Sequence, residues 1–192
     1  MIALADGWDR WSVILCKPDA VRRQLAGTIL ARIGEEIDII TQREVRVSET
    51  QIFTHYADMI ALDDQFPFDV AAELRRNYVG SRVVVALGHG NHDGVPRRVR
   101  ELLGHYDPSR AAADSIRGRF GADSLTHARA EGRFLDNLIH TSDDPEGVER
   151  EFRVWFGPAY LHLLASQNEQ ESRWQSPSSS PQISRSAPPP CA

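Results

Sequence analysis

Residues 11–16 read WSVILC and run directly into KPDAVRR at 17–23. A nearly unbroken apolar run rich in branched side chains, closed by Lys17-Pro18, predicts a strand buried on both faces with a lysine at its end. Residues 82–87, RVVVAL, repeat the signature, and 37–47 carry a β-rich pattern with partial alternation. Between these runs Leu25, Ile29, Leu30 and Ile33 recur at helical spacing, as do Val70, Leu74 and Tyr78. Val95-Pro96 opens a third helix through Val99, Leu102 and Leu103 that Gly104 stops. Past a loop at Asp107-Pro108, residues 122–130 predict a short helix and 133–140 a fourth strand. Ser142 or Asp143 can cap the last helix, with Pro145 in its first turn and Val148, Phe152, Trp155 and Phe156 on one face. The alternation predicts an α/β domain, one sheet covered by helices. A parallel sheet and a split antiparallel one share this order.

The 192 residues suit a single globular domain, and 41% hydrophobic with 26% charged residues is an ordinary globular composition. Beyond about residue 165 the sequence SQNEQESRWQSPSSSPQISRSAPPPCA offers almost nothing apolar to bury. The expected organisation is a folded domain over 1–165 and a disordered Ser/Pro-rich tail over 166–192. With 22 basic and 27 acidic residues the formal charge is -5, a field that repels polyanions, so no specific nucleic acid is expected as a partner. Small phosphates stay possible. The longest apolar stretch, 83–87, is far short of the ~18 to 20 residues that span a bilayer. The start, MIALADGWDR, lacks the basic and apolar regions of a signal peptide, so a cytoplasmic protein with no membrane partner is expected. Cys16 and Cys191 are the only cysteines, too few for a disulfide framework or a four-cysteine zinc site.

The segment GHGNHDG, 88–94, lies between strand and helix, but its glycine spacing is wrong for a dinucleotide loop and no acidic residue follows where ribose recognition would need one. His89, His92 and Asp93 offer metal ligands, yet turns collect His and Asp for conformational reasons, and a plain turn is expected. There is no P-loop. Lys17 at a strand end, Arg100 on a helix and Arg117 in SIRG are each ordinary surface cations when taken alone. More unusual is NLIHTSD at 137–143, which brings His140 to a strand end beside a helix N-terminus that favours anions, with Glu151 on that helix.

Taken together, KPDAVRR at 17–23, HYAD at 55–58, LLGHYDP at 102–108, SIRG at 115–118, and NLIHTSD followed by Glu151 and WF at 155–156 resemble the nucleoside diphosphate kinase family, in the same order from about Trp11 to Phe156. The resemblance implies a ferredoxin-like α+β sandwich, a four-stranded antiparallel sheet covered by helices. It implies transfer of the γ-phosphoryl group of a nucleoside triphosphate such as ATP to a nucleoside diphosphate through a phosphohistidine, in two half-reactions, with Mg²⁺ carried on the nucleotide phosphates and no metal ligand on the chain. By similarity His140 is the nucleophile and Glu151 accepts a hydrogen bond from its other ring nitrogen. Lys17 and Tyr56 match residues near the transferred phosphate, Arg100 and Arg117 match phosphate clamps, and Asn137 matches the residue that bonds the ribose 3′-hydroxyl. Phe66 is the choice for the aromatic that stacks on the base, with Phe68 as rival. Stacking reads a π-face, so several bases should be accepted. A homo-oligomer is expected, without a subunit number.

Three positions depart from the family pattern. Tyr106 stands where a threonine hydroxyl usually helps to hold phosphate, Thr141 replaces the glycine or alanine after the histidine, and the interval from Arg117 to His140 is longer, with 121–133 as the inserted part. These changes keep a second reading open, a nucleotide-binding regulatory module of the same fold with weak or no kinase activity.

Overall fold

A computed structural model describes residues 7–165. The chain divides into a unit ending at Pro158 and another beginning at Ala159, and of the second only residues 159–165, largely helical, are described. The expected tail, 166–192, lies outside the described residues.

Four strands form one antiparallel sheet in the order β2-β3-β1-β4. The inner pair are β1 (Trp11–Cys16) and β3 (Arg82–His89), and the outer pair β2 (Asp38–Arg46) and β4 (Ile139–Thr141). Position in the sheet explains the sequence patterns. Every residue of β1 is buried, as a central strand covered on both faces requires, whereas β2 lies at an edge and alternates in exposure. The order and the antiparallel pairings are those of the ferredoxin-like sandwich that the resemblance implies.

On one face Ile14, Cys16, Ala86 and Ile139 pack with Ile29 and Ile33 of α2 (Ala26–Gly34) and with Val99 and Leu103 of α6 (Val95–Leu103). The opposite face receives α3 (Glu49–His55) and α9 (Pro145–Trp155), and α5 (Val70–Tyr78) packs beside α3. Short helices complete the connections: α1 (Pro18–Arg22), α4 (Ala57–Ala61), α7 (Ile116–Phe120) and α8 (Leu125–Ala130). The helix α3, not predicted from the sequence, starts at a capping box, Ser48-x-x-Gln51, whose reciprocal hydrogen bonds are both formed. Gly104 ends α6 at φ 76°, where a Cβ would fall 2.2 Å from the Ser115 hydroxyl, so this stop needs glycine.

The fourth strand is shorter than the pattern of 133–140 predicts. Ile139–Thr141 pair with Ile14–Cys16, but the backbone before them bonds to carboxylates. Phe134 N–H donates to Glu73, Asp136 N–H to Asp123 and Leu138 N–H to Asp19. Leu138 is left-handed at φ 69°, so no ladder extends through it. The cap of α9 also differs. Asp144 accepts from Gly147 N–H at 2.7 Å, while Ser142 hydrogen-bonds Glu151 and Asp143 pairs with Arg100. The segment 88–94 extends β3 to His89 and then turns, with Gly94 capping α6 at φ 83° and Asp93 paired to Arg10.

Candidate active site

Register decides where His140 points. It lies opposite Leu15, so strand alternation turns it to the face away from Ile139 and Ile14, toward α3 and α9. One turn and a half along α9, Glu151 is buried and its Oε1 lies 2.8 Å from His140 Nε2. The other oxygen, Oε2, accepts from Ser142 Oγ at 2.6 Å, and Ser142 Oγ accepts in turn from Val13 N–H. A carboxylate accepting at Nε2 places the imidazole proton there and leaves the Nδ1 lone pair for chemistry. Burial, and then the nearby Lys17 ammonium, hold the imidazole pKa well below its ordinary value, with Arg100 and Arg117 acting in the same sense. Burial also raises the Glu151 carboxyl. The side chain of His140 keeps 20% of its surface open, so the neutral ring is accessible.

Two residues of HYAD frame the imidazole. The rings of His55 and Tyr56 lie 4.6 and 6.0 Å from that of His140 by centroid, both edge-on. His55 Nδ1 accepts from the Trp155 indole, and burial together with the His140 charge brings His55 down to about 3. Tyr56 meets the Tyr78 hydroxyl at 3.2 Å, and burial raises its phenol to about 12, so it is a neutral hydroxyl at ordinary pH.

The cations converge from three elements. Lys17, at the end of β1, donates from Nζ to Asn137 Oδ1 at 2.7 Å and from its backbone to Leu138 carbonyl. Burial lowers its ammonium to about 8. Arg117 of α7 donates to the carbonyls of Asn137, Gly104 and Ile139, which ties the histidine strand to the end of α6. Burial and then Arg100 lower its guanidinium to about 10. Arg100 donates to the Thr141 carbonyl and pairs with Asp143. Asn137 completes the group by donating to the Tyr106 carbonyl at 2.9 Å.

A cavity of about 460 Å³ opens alongside, lined by Lys17, Tyr56, Phe66, Phe68, Tyr106 and Asn137 among others. Tyr56 joins it to His140, since it both lines the cavity and faces the imidazole. Both phenylalanines are half-buried; Phe68 is engaged at 5.0 Å with Phe134 and at 5.7 Å with Phe66, whereas Phe66 meets only Phe68 among the described rings.

Tyr106 is 50% exposed with its ring stacked on His105, and what it gives Asn137 is a backbone carbonyl that any residue could supply. Thr141 is fully buried within β4, where β-branched side chains are at home. Sequence reasoning did not single out His55, Ser142, Asp19 or Tyr78. His55 and Asp19 lie inside quoted motifs, HYAD and KPD, while Ser142 was read as a cap, and nothing local marks Tyr78 as other than core.

Among the described residues, the one group with metal-ligand proximity is His55, His140 and Glu151. Glu151 is engaged with His140 and Ser142, and His55 Nδ1 with Trp155, whereas His55 Nε2 and His140 Nδ1 accept no hydrogen bond. Mg²⁺ seeks about six oxygens, and near Lys17 the acids are committed too: Asp19 to Leu138 N–H, and Asp136 to an ion pair with Arg22. Two imidazoles and one carboxylate make a poor donor set for Mg²⁺ among the described residues. None of the helices described is long and apolar enough to cross a membrane.

The sequence profile of the nucleoside diphosphate kinase family matches residues 11–161. A nucleoside diphosphate kinase of Nocardioides sp. is 35% identical over 146 residues, covering 76% of this chain and 95% of that protein. One from Pyrobaculum aerophilum is 30% identical over 175 residues, covering 76% and 93%. Among solved structures, a transition-state mimic of the Borrelia burgdorferi nucleoside-diphosphate kinase with bound vanadate and ADP superposes with a TM-score of 0.70 at 26% identity, over 78% of this chain and 88% of that one. The Pyrobaculum aerophilum enzyme superposes at 0.67 and 26% identity, over 78% and 97%. The profile spans the whole sheet and the strand that carries His140, and the chain belongs to the nucleoside diphosphate kinase family.

Proposed function

We propose that His140 carries the phosphoryl group as this enzyme transfers phosphate from a nucleoside triphosphate to a nucleoside diphosphate. The observation that carries the reading is the bond from Nε2 to Glu151, which leaves Nδ1 as the free nitrogen beside Lys17, Arg100 and Arg117. In the first half-reaction the Nδ1 lone pair forms a bond to the γ-phosphorus, the bond to the β-γ bridging oxygen breaks, and the diphosphate leaves. The second half-reaction is its reverse with another diphosphate as acceptor. Throughout, the Nε2 proton stays on the ring, held by Glu151, so charge that builds on the imidazole is met by a carboxylate.

Lys17 and Arg117 border the phosphates from the strand end and Arg100 from α6, with the Tyr56 hydroxyl as a neutral donor. Arg117 reaches them with the donors its three carbonyls leave over. Asn137, fixed by Lys17 and the Tyr106 carbonyl, bonds the ribose, and Phe66 offers its free face to the base. Mg²⁺ is carried on the nucleotide, where it neutralises phosphate charge. A homo-oligomeric assembly and a cytoplasmic setting, where nucleotide pools lie, belong to the same reading, and light scattering on the purified chain tests the first.

Incubation with γ-labelled ATP should give an acid-labile label on the protein that a diphosphate chases off. His140→Ala should abolish the label and reduce transfer to background, because it removes the attacking nitrogen and the adjacent His55 is buried. A protein that only binds nucleotides never acquires label, and near-normal labelling of His140→Ala would overturn the assignment.

A further inference from the structure

We propose that the inserted segment and its return form the selectivity wall of the nucleotide cavity, and that Phe134, directly after the insertion, biases the enzyme toward purine over pyrimidine nucleotides. The inference rests on the assignment of this cavity as the nucleotide site. Residues of the insertion and its return, Leu125, Arg129, Arg133, Phe134, Leu135 and Asp136, line the same cavity as Lys17, Tyr56 and Phe66. One side of the site is therefore built from the segment that lengthens the interval between Arg117 and His140.

The wall is fixed in place. Asp123 accepts two hydrogen bonds from Arg133, at 2.7 and 3.1 Å, and the N–H groups of Ser124 and Asp136. Burial opposes ionisation of Asp123, but the Arg133 bonds outweigh it and bring the carboxyl to about 2. A second anchor comes from the body of the domain. Glu73 of α5 is buried, holds Arg76 and Asn77, and accepts Phe134 N–H at 3.0 Å. Phe134 is thus pinned by its backbone to α5, and its ring meets Phe68 edge-on at 5.0 Å, with Phe66 beyond at 5.7 Å from Phe68.

The three rings follow one another along the cavity, Phe66 and Phe68 tilted at 35° and Phe134 edge-on to Phe68 at 88°. A single phenylalanine offers a face about the size of one six-membered ring, so it distinguishes bases weakly. A row extends the apolar surface past that footprint, and a bicyclic base covers more of it than a monocyclic one. Because the segment is held by carboxylates on both sides, little ordering is needed when the base arrives, and the added area appears as affinity.

The test uses the full chain with one fixed donor and ADP, GDP, CDP and UDP as acceptors. The native enzyme should show kcat/KM for the purine diphosphates about tenfold above the pyrimidine ones. Phe134→Ala should shrink that ratio to about twofold, with most of the loss in KM for purines. Phe134→Leu fills the same space without an aromatic face and should behave like Phe134→Ala, while Phe134→Tyr should restore the ratio. If the alanine variant does not fold, the leucine variant gives the answer. Equal values for purines and pyrimidines in the native enzyme, or a ratio that survives in Phe134→Leu, would overturn the inference while leaving phosphotransfer intact. Absence of label from γ-labelled triphosphates in the native protein would instead overturn the site assignment beneath it.

Discussion

His140 is oriented by hydrogen bonds that end on the backbone of β1, from Nε2 to Glu151, from Glu151 to Ser142 and from Ser142 to Val13. Replacing the carboxylate with an amide keeps the size but removes the charge and leaves the Ser142 hydroxyl and the imidazole N–H competing for one acceptor oxygen. A hydrogen bond to a charged group contributes about 1.5 to 3 kcal/mol. Glu151→Gln should therefore still label, with phosphorylation slowed about tenfold to hundredfold in a rapid-quench experiment. An unchanged rate would assign Glu151 to packing alone. Lys17 gives a second prediction at this scale. Burial lowers its pKa to about 8, so it is a cation below that pH and loses charge above it. In the free enzyme kcat/KM should fall as pH rises through about 8, and bound phosphate, which favours the cation, should push the corresponding limb of kcat to higher pH. A basic limb unchanged in Lys17→Met would assign it to another group.

At the scale of elements, β4 is short because its approach is taken by turns and carboxylates, and the strain is concentrated at Leu138. Its left-handed backbone, φ 69°, is held from both sides, its N–H by Asp19 and its carbonyl by Lys17 N–H, while its side chain is fully buried. This single peptide couples the end of β1 to the residue pair Asn137 and Ile139, and so to His140. Truncating a buried leucine costs about 2 to 5 kcal/mol. A left-handed conformation costs an ordinary residue about 1 to 2 kcal/mol, which glycine avoids, against an entropic penalty for glycine of about 0.5 to 1 kcal/mol. Both Leu138→Ala and Leu138→Gly should be destabilised, with the glycine variant no less stable than the alanine variant, the reverse of the usual order. Urea unfolding of the pair decides this, and a clearly weaker glycine variant would show that the backbone stores no strain there.

For the whole molecule, the buried imidazoles predict a loss of stability in acid. Burial and then the His140 charge hold His55 neutral down to about 3, whereas an unfolded histidine takes a proton near 6.5. Between those values the unfolded chain binds more protons than the native one, so stability falls as pH drops below about 6.5. Urea titrations from pH 7 to pH 4 should show this decline, with a shallower slope in His55→Gln, and equal slopes would mean that His55 titrates alike in both states.

Much of this was legible in order. The apolar runs of β1 and β3, the helical spacing of Leu25 to Ile33, Val70 to Tyr78 and Val95 to Leu103, and the proline and glycine that bound α6 are local signals, fixed by backbone geometry within a few residues. The motif order brought His140, Glu151, Lys17 and Asn137 into view because their spacing along the chain is itself distinctive. What the pattern misread shared one cause. The strand expected over 133–140 has the right residue types, but Glu73, Asp123 and Asp19 supply its backbone partners from other parts of the chain. Ser142 looked like a cap until Glu151 folded back over it. The sequence by itself determined which candidate groups stand at the site and most of the elements that carry them, because those follow from residue chemistry and short-range periodicity. Tertiary structure alone decided which imidazole nitrogen lacks a hydrogen bond, how Lys17 meets Asn137 across 120 residues, and that Leu125, Arg129 and Phe134 line the cavity. Those outcomes depend on hydrogen bonds and burial between groups distant in the chain, which no local window contains.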